Sequence, residues 1–173
     1  MGHINIEIKA KSTNHEKIRK ILREKNAEFK GEDHQIDTYF KVESGRLKLR
    51  EGNIENYLIF YEREDKEGPK QSNVILYKSN PNSTLKELLI KSNGILVVID
   101  KTREIYFIEN VKFHLDIVKD LGTFIEVEAI DKVGNIGREK LLAQCQQYLD
   151  LFEVAKDDLI SVSYSDLLLK KKQ

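Results

Sequence analysis

The sequence predicts an α+β fold: an eight-stranded antiparallel β-barrel with a polar interior, flanked by helices. Three observations carry this. Eight segments alternate apolar and charged residues at the period of a strand, helical stripes interrupt them at only a few places, and cations crowd the polar side of several strands. The chain has 173 residues, the size of one domain, read here as residues 1–169 with a basic tail at 170–173.

Composition excludes several classes. Twenty-nine Lys and Arg balance 29 Asp and Glu, so the basic excess of a general nucleic-acid binder is missing. Hydrophobic content of 40% is too high for a disordered polyelectrolyte. Cys145, the one cysteine, cannot form an internal bridge and fits a reducing, cytoplasmic setting. The longest apolar run, Ile95 to Ile99, is too short for a membrane helix, and Met1 to Lys11 has no signal-peptide apolar region.

The elements follow in order. Ile4, Ile6, Ile8 and Ala10 alternate with Asn5, Glu7, Lys9 and Lys11, a strand with one charged face. Thr13 and Glu16 have capping-box spacing, and Ile18, Ile21 and Leu22 share a stripe, predicting a helix to about Phe29 that Gly31 ends. His34 to Glu43 is rich in strand formers. Ser44-Gly45 turns into Arg46 to Arg50, with three cations on one face and two leucines on the other. Tyr57 to Arg63 places Tyr61 and Arg63 opposite Leu58 and Phe60, and Val74 to Lys78 is a short strand. Ser83 to Gly94 holds a second helix, capped through Thr84 and Glu87.

Ile95 to Ile108 is a long strand with Lys101 and Arg103 on one face, and Glu109-Asn110 makes a hairpin tip to Val111 to Val118. There Lys112, His114 and Asp116 oppose Val111, Phe113, Leu115 and Ile117. In Thr123 to Ile130, Phe124, Glu126 and Glu128 oppose Ile125 and Val127. A helix over Gly137 to Phe152 carries Leu141, Leu142, Cys145, Tyr148, Leu149 and Phe152 on one stripe, and a shorter one is expected over Lys156 to Ile160.

Alternation alone fits an open sheet wetted on one face as well as it fits a barrel. The residue types favour the barrel. Arg46, Lys48, Arg50, Arg63, Lys101 and Arg103 dominate three strands, where a wetted face would mix Ser, Thr, Gln, Lys and Glu. Like charges at alternate positions lie roughly 7 Å apart and repel, so anions must sit among them, some of them protein carboxylates and the rest ligand. Eight strands suffice to close a barrel and abolish exposed edges. With the apolar faces turned out onto helices, Glu7, Asp116, Glu126 and Glu128 would share a lumen with the cations. Such carboxylates suit a hard divalent ion, Mg²⁺ or Mn²⁺, which takes oxygen ligands together with substrate phosphates.

At this point the chain resembles the CYTH family, the triphosphate tunnel metalloenzymes, in particular its class IV adenylyl cyclase branch. The family's Glu-x-Glu-x-Lys signature is matched by Asn5-Ile6-Glu7-Ile8-Lys9 except at its first glutamate. His34-Gln35-Ile36-Asp37-Thr38-Tyr39-Phe40, Arg46 to Glu51, Lys101-Thr102-Arg103, His114-Leu115-Asp116 and Gly122 to Glu128 follow in the family's order. The resemblance implies metal ligation by Glu7, Glu126 and Glu128, with Asp116 as a further ligand or positioning group. It implies phosphate contacts from Lys9, Lys11, Arg46, Lys48, Arg50, Arg63, Lys78, Lys101 and Arg103, and catalytic roles for Lys9, Arg103 and Asp116. For His34 and His114 two readings stand, proton transfer and hydrogen bonding within the barrel wall, of which the second is favoured; Cys145 is read as core.

Asn5 lowers the negative charge at the metal and puts a second ion in doubt. The implied substrate is a small-molecule triphosphate such as ATP, cyclised to cyclic AMP and pyrophosphate; a triphosphatase and a non-catalytic polyphosphate-binding module are the alternatives. The expected protein is a monomer or homodimer, with no membrane partner.

Overall fold

The computed structural model describes residues 2–173. Strands β1 (His3–Lys11), β2 (Glu28–Phe40), β3 (Arg46–Glu51), β4 (Asn56–Arg63), β5 (Lys70–Lys78), β6 (Ile95–Ile108), β7 (Val111–Val118) and β8 (Gly122–Asp131) form a closed barrel in the order β1-β5-β4-β3-β2-β6-β7-β8. Every pairing is antiparallel, and β8 returns to β1, so the sheet among the described residues has no open edge. The choice between open sheet and barrel is thereby decided for the barrel. Helices α1 (His15–Glu24), α2 (Leu85–Asn93), α3 (Arg138–Leu151) and α4 (Tyr164–Lys171) surround or cap it, with one 3₁₀ turn at Lys156–Asp158.

The barrel has its apolar surface outside. Ile6, Ile8 and Ala10 of β1, with Phe113, Leu115, Ile125 and Val127 from β7 and β8, pack under Ile18 and Leu22 of α1, Leu141, Cys145 and Tyr148 of α3, and Phe152 at its C-terminal cap. Each fully buried aliphatic or aromatic side chain there contributes roughly 1.5–3 kcal/mol, and this face is the main core. A smaller cluster seats α2, through Leu85 and Leu89, on Phe40, Leu47, Leu49 and Leu58. Period two then turns the polar residues of the same strands inward.

α4 differs from the other helices. Tyr164 and Leu168 pack on Tyr39, Val97, Ile99, Val118 and Phe124. Ile99 and Phe124 continue the inward-facing rows of Lys101, Arg103 and Glu126, two residues apart along each strand, so α4 plugs one end of the barrel from within. The sequence reading contains no helix at 164–171; α4 takes in Lys170 and Lys171, half of the predicted tail. Its signal is Ser163-x-x-Asp166, which forms a full capping box.

Other boundaries differ from expectation: β5 begins at Lys70, four residues before the predicted Val74, because pairing with β1 reaches Glu7↔Lys70. α1 stops at Glu24, because Asn26 adopts φ 56°, and the chain turns into β2 six residues before His34. Gly31 therefore lies inside a strand, at a register shift with φ 126°, instead of ending a helix. The N-cap of α1 is Asn14, whose side chain accepts from the Lys17 amide at 3.1 Å, not Thr13.

Candidate functional site

The lumen draws side chains from strands all round the barrel. β1 supplies Asn5, Glu7 and Lys9; β3 and β4 supply Lys48, Arg50 and Arg63; β6 supplies Lys101 and Arg103; β7 and β8 supply Lys112, His114, Glu126 and Glu128. Strand register sets their neighbours: Glu7 lies beside Glu128, Lys9 beside Glu126, and His114 beside Glu126 on the other flank. Tyr39, Tyr61 and Tyr164 complete the wall near the α4 end. The open mouth is more apolar, with Tyr57, Leu76, Phe107 and Ile130 alongside His3 and Lys132.

Most of the cations hold protein carboxylates. Arg50 donates to Asp37 through two 2.9 Å bonds, Lys101 reaches Asp37 at 2.6 Å, and Lys48 lies 3.3 Å from it. Arg103 grips Asp116 with two 2.7 Å bonds, and the Tyr164 hydroxyl donates to the same carboxylate at 2.7 Å. Glu55, on the β3–β4 turn, pairs with Lys112 and with Arg50 at 3.1 Å. The Asp33 carboxylate accepts the Ile54 and Glu55 amides and so fixes that turn. Arg63 donates to Glu7 at 3.2 Å. Among the described residues Lys9 has no carboxylate partner within bonding distance; it stands 3.9 Å above the Tyr164 ring, a cation–π contact.

The lumen thus carries eight lysines and arginines, counting Lys132, against Glu7, Glu55, Glu126 and Glu128 in the wall and Asp37 and Asp116 behind it. The excess is two charges, too few to neutralise a triphosphate alone. A divalent ion would make up the difference.

The electrostatics are those of a buried, crowded site. Burial pushes the Glu7 carboxyl up to about 7, against the pull of Arg63 and with help from Glu126. Burial pushes Glu128 up as well, with Glu126 adding to the effect. For Glu126 burial acts upward, yet Lys9, His114 and Arg103 outweigh it and hold the group well below the usual carboxylate range. Lys9 is brought down to about 8 by burial. His114 is driven to about 3, by burial first and Arg103 second, and is neutral.

The residues present fit a divalent cation. His114, Glu126 and Glu128 each offer a ligand atom, all within 4.8 Å of one another. Asn5 donates its amide to Glu128, leaving its own Oδ1 buried without a partner, and both ring nitrogens of His114 are buried and unpartnered. Such buried polar atoms call for a group entering from the lumen.

Of the residues the sequence nominated, the structure brings together Glu7, Lys9, Lys48, Arg50, Arg63, Lys101, Arg103, Glu126 and Glu128 along the lumen. Lys11 and Lys78 are exposed at strand ends, outside the lining. Arg46 lies outside it too, its guanidinium held by Asp166 at 3.1 Å. Asp116 is fully buried behind Arg103, not against the glutamates. His34 bonds Asp100 at 2.7 Å on the exposed side of β2. Sequence reasoning missed Asp37 as a charge hub and Glu55 as a lumen carboxylate. Asp37 shares a face with Gln35 and Tyr39, and that alternation was the available signal.

The CYTH domain model matches residues 3–152. A relative from Methanocaldococcus jannaschii named "Putative adenylate cyclase" is 27% identical over 182 residues, covering 95% of this chain and 98% of its own. Among solved structures, the PH1012 protein of Pyrococcus horikoshii superposes with a TM-score of 0.79 at 23% identity, over 94% of this chain and 98% of that one. A Hippeastrum protein superposes with a TM-score of 0.64 at 14% identity, over 98% of this chain and 95% of that one. It is described as a "Putative adenylyl cyclase" with a dominant triphosphatase activity.

Proposed function

The chain belongs to the CYTH family, and from that premise we propose that it is a metal-dependent enzyme acting on an organic triphosphate, with ATP cyclised to cyclic AMP and pyrophosphate as its reaction. The observation that carries this reading is the closed lumen in which Lys9, Arg63, Lys101 and Arg103 surround Glu7, Glu126 and Glu128.

Triphosphate oxygens enter toward the plugged end, where Lys9 offers an ammonium bound to no carboxylate and Arg63 and Arg103 offer the N–H groups that Glu7 and Asp116 leave free. The nucleoside remains at the mouth, against Tyr57, Leu76, Phe107 and Ile130. Glu7, Glu126 and Glu128, with His114 beside them, would hold Mg²⁺ or Mn²⁺. When bound, the ion supplies charge neutralisation at phosphate oxygens. The ribose 3′-hydroxyl then bonds to the α-phosphorus, the bridging bond to the β-phosphate breaks, and the hydroxyl proton passes to solvent. No nucleophilic side chain is required, since positioning and cationic stabilisation by Lys9, Arg63 and Arg103 carry the step. Asp116 and Tyr164 act one layer back, setting the Arg103 fork.

A second reading replaces the ribose hydroxyl with water at the terminal phosphorus, making a triphosphatase. The dominant triphosphatase activity ascribed to the Hippeastrum protein favours it. One assay separates the two. With Mg²⁺ or Mn²⁺, cyclic AMP plus pyrophosphate from ATP supports cyclisation, orthophosphate from ATP or inorganic triphosphate supports hydrolysis, and binding without product reduces the protein to a polyphosphate-binding module.

A further inference from the structure

His114 lies on β7 directly across from Glu126, lines the lumen and is 2% exposed. Its Nδ1 is 3.6 Å from a Glu126 oxygen, and its Nε2 is 3.9 Å from a Glu128 oxygen. Neither nitrogen reaches a hydrogen-bond partner among the described residues, although both are buried. A neutral imidazole has one N–H, so one of its nitrogens must present a lone pair, and each nitrogen faces an electron-rich carboxylate. A cation among the three side chains reconciles that arrangement; a second ring proton, or a proton on the carboxyl of Glu128, would be the alternatives. The same corner holds the partnerless Oδ1 of Asn5, where the family signature has a carboxylate.

We propose that His114 is a ligand of the metal ion in this tunnel, completing with Glu126 and Glu128 a mixed nitrogen–oxygen site that prefers a first-row transition ion such as Mn²⁺ or Co²⁺ over Mg²⁺. The inference rests on the metal-dependent reading given above and specifies its metal. Imidazole raises affinity along the series from Mn²⁺ to Co²⁺ and Ni²⁺, whereas Mg²⁺ favours oxygen ligands and retains water. The loss of a carboxylate at position 5 removes negative charge that Mg²⁺ would need, and a neutral nitrogen donor suits the softer ions. The rival explanation is an imidazolium bonded to both glutamates; Arg103 and Lys112, both facing this corner, oppose a further positive charge there.

The test loads the metal-free full chain with Mn²⁺, counts bound ion by calorimetry, and records pulsed electron paramagnetic resonance. One Mn²⁺ per chain with a directly coordinated imidazole nitrogen is expected, and its coupling should change when histidine is labelled with ¹⁵N. The coupling should persist in His3→Ala, the control for the histidine at the mouth, and vanish in His114→Ala. Mn²⁺ affinity should fall at least about tenfold in His114→Ala, and Mg²⁺ affinity by far less. Bound Mn²⁺ without nitrogen coupling in the unsubstituted protein, which needs no variant to fold, overturns the assignment and leaves the enzymatic reading intact. Persistence of the coupling in His114→Ala overturns it equally. Failure to bind any divalent ion, together with undiminished turnover in chelator, sinks the assignment and the metal-dependent reading together.

Discussion

Replacing Asp37 with Asn keeps the shape of the side chain and deletes the charge that three cations share. Asp37 is fully buried, with Arg50 at 2.9 Å, Lys101 at 2.6 Å and Lys48 at 3.3 Å. Burial alone would raise its pKa, but those three neighbours hold it well below the usual range. Breaking a buried ion pair from one side costs about 3–5 kcal/mol, because the remaining charges stay desolvated. In a chain of this length each kcal/mol moves the midpoint by roughly 2–4 °C, so Asp37→Asn should melt about 6–20 °C lower by calorimetry at pH 7. The folded pKa is depressed, so the stabilisation is present in full above the unfolded carboxylate range and is lost as pH falls from there through the lower folded value; the gap between the two proteins should close in strong acid. Inorganic triphosphate, an anion entering the same cluster, should raise the variant's midpoint more than that of the unsubstituted protein. A variant melting within about 2 °C of its parent at neutral pH would refute the account of the lumen as mutually dependent charges.

Lys9→Ala removes a buried lumen cation that bonds no carboxylate and should lower turnover by a factor on the order of 100, measured on whichever product the protein makes; full activity would remove Lys9 from the site. Glu7 is raised from 4.5 to about 7, so its contribution is present below pH 4.5 and is lost as pH rises through 7. In denaturant unfolding without metal, the parent should therefore lose up to about 3 kcal/mol relative to Glu7→Gln across that window, and a flat difference contradicts the burial assigned to Glu7. Ser163→Ala abolishes the capping box of α4 and should cost about 1 kcal/mol by calorimetry; an unchanged midpoint would show that the cap does not hold the plug in place.

The strands were legible because period two survives any detail of packing. Ile95–Ile108 and Val111–Val118 were readable to the residue, and the inward set that includes Lys101, Arg103 and Glu126 followed from it. Pairing across the barrel was not legible. The repulsion among Arg46, Lys48 and Arg50 pointed to anions, but their identity as Asp166, Asp37 and Glu55 depends on register and on residues up to 120 positions away. His114 was expected to be bonded into the wall, and the structure leaves both its nitrogens bare. That outcome depends on the 3.6 Å and 3.9 Å separations from two glutamates of the neighbouring strand, a scale no spacing rule resolves. α4 escaped notice because its apolar run is short and follows an irregular stretch.

That last helix makes the lumen a cul-de-sac. With Tyr164 and Leu168 stoppering one end, whatever travels in deepest must wait for whatever sits nearer the doorway. In cyclisation the nucleotide departs first and pyrophosphate follows, so pyrophosphate should be the product that lingers and competes with the next substrate. In hydrolysis the liberated orthophosphate would be trapped behind the diphosphate until the larger fragment clears. On that proposal the order of release would be imposed by eight residues near the end of the chain, far in sequence from the cations proposed to hold the phosphates.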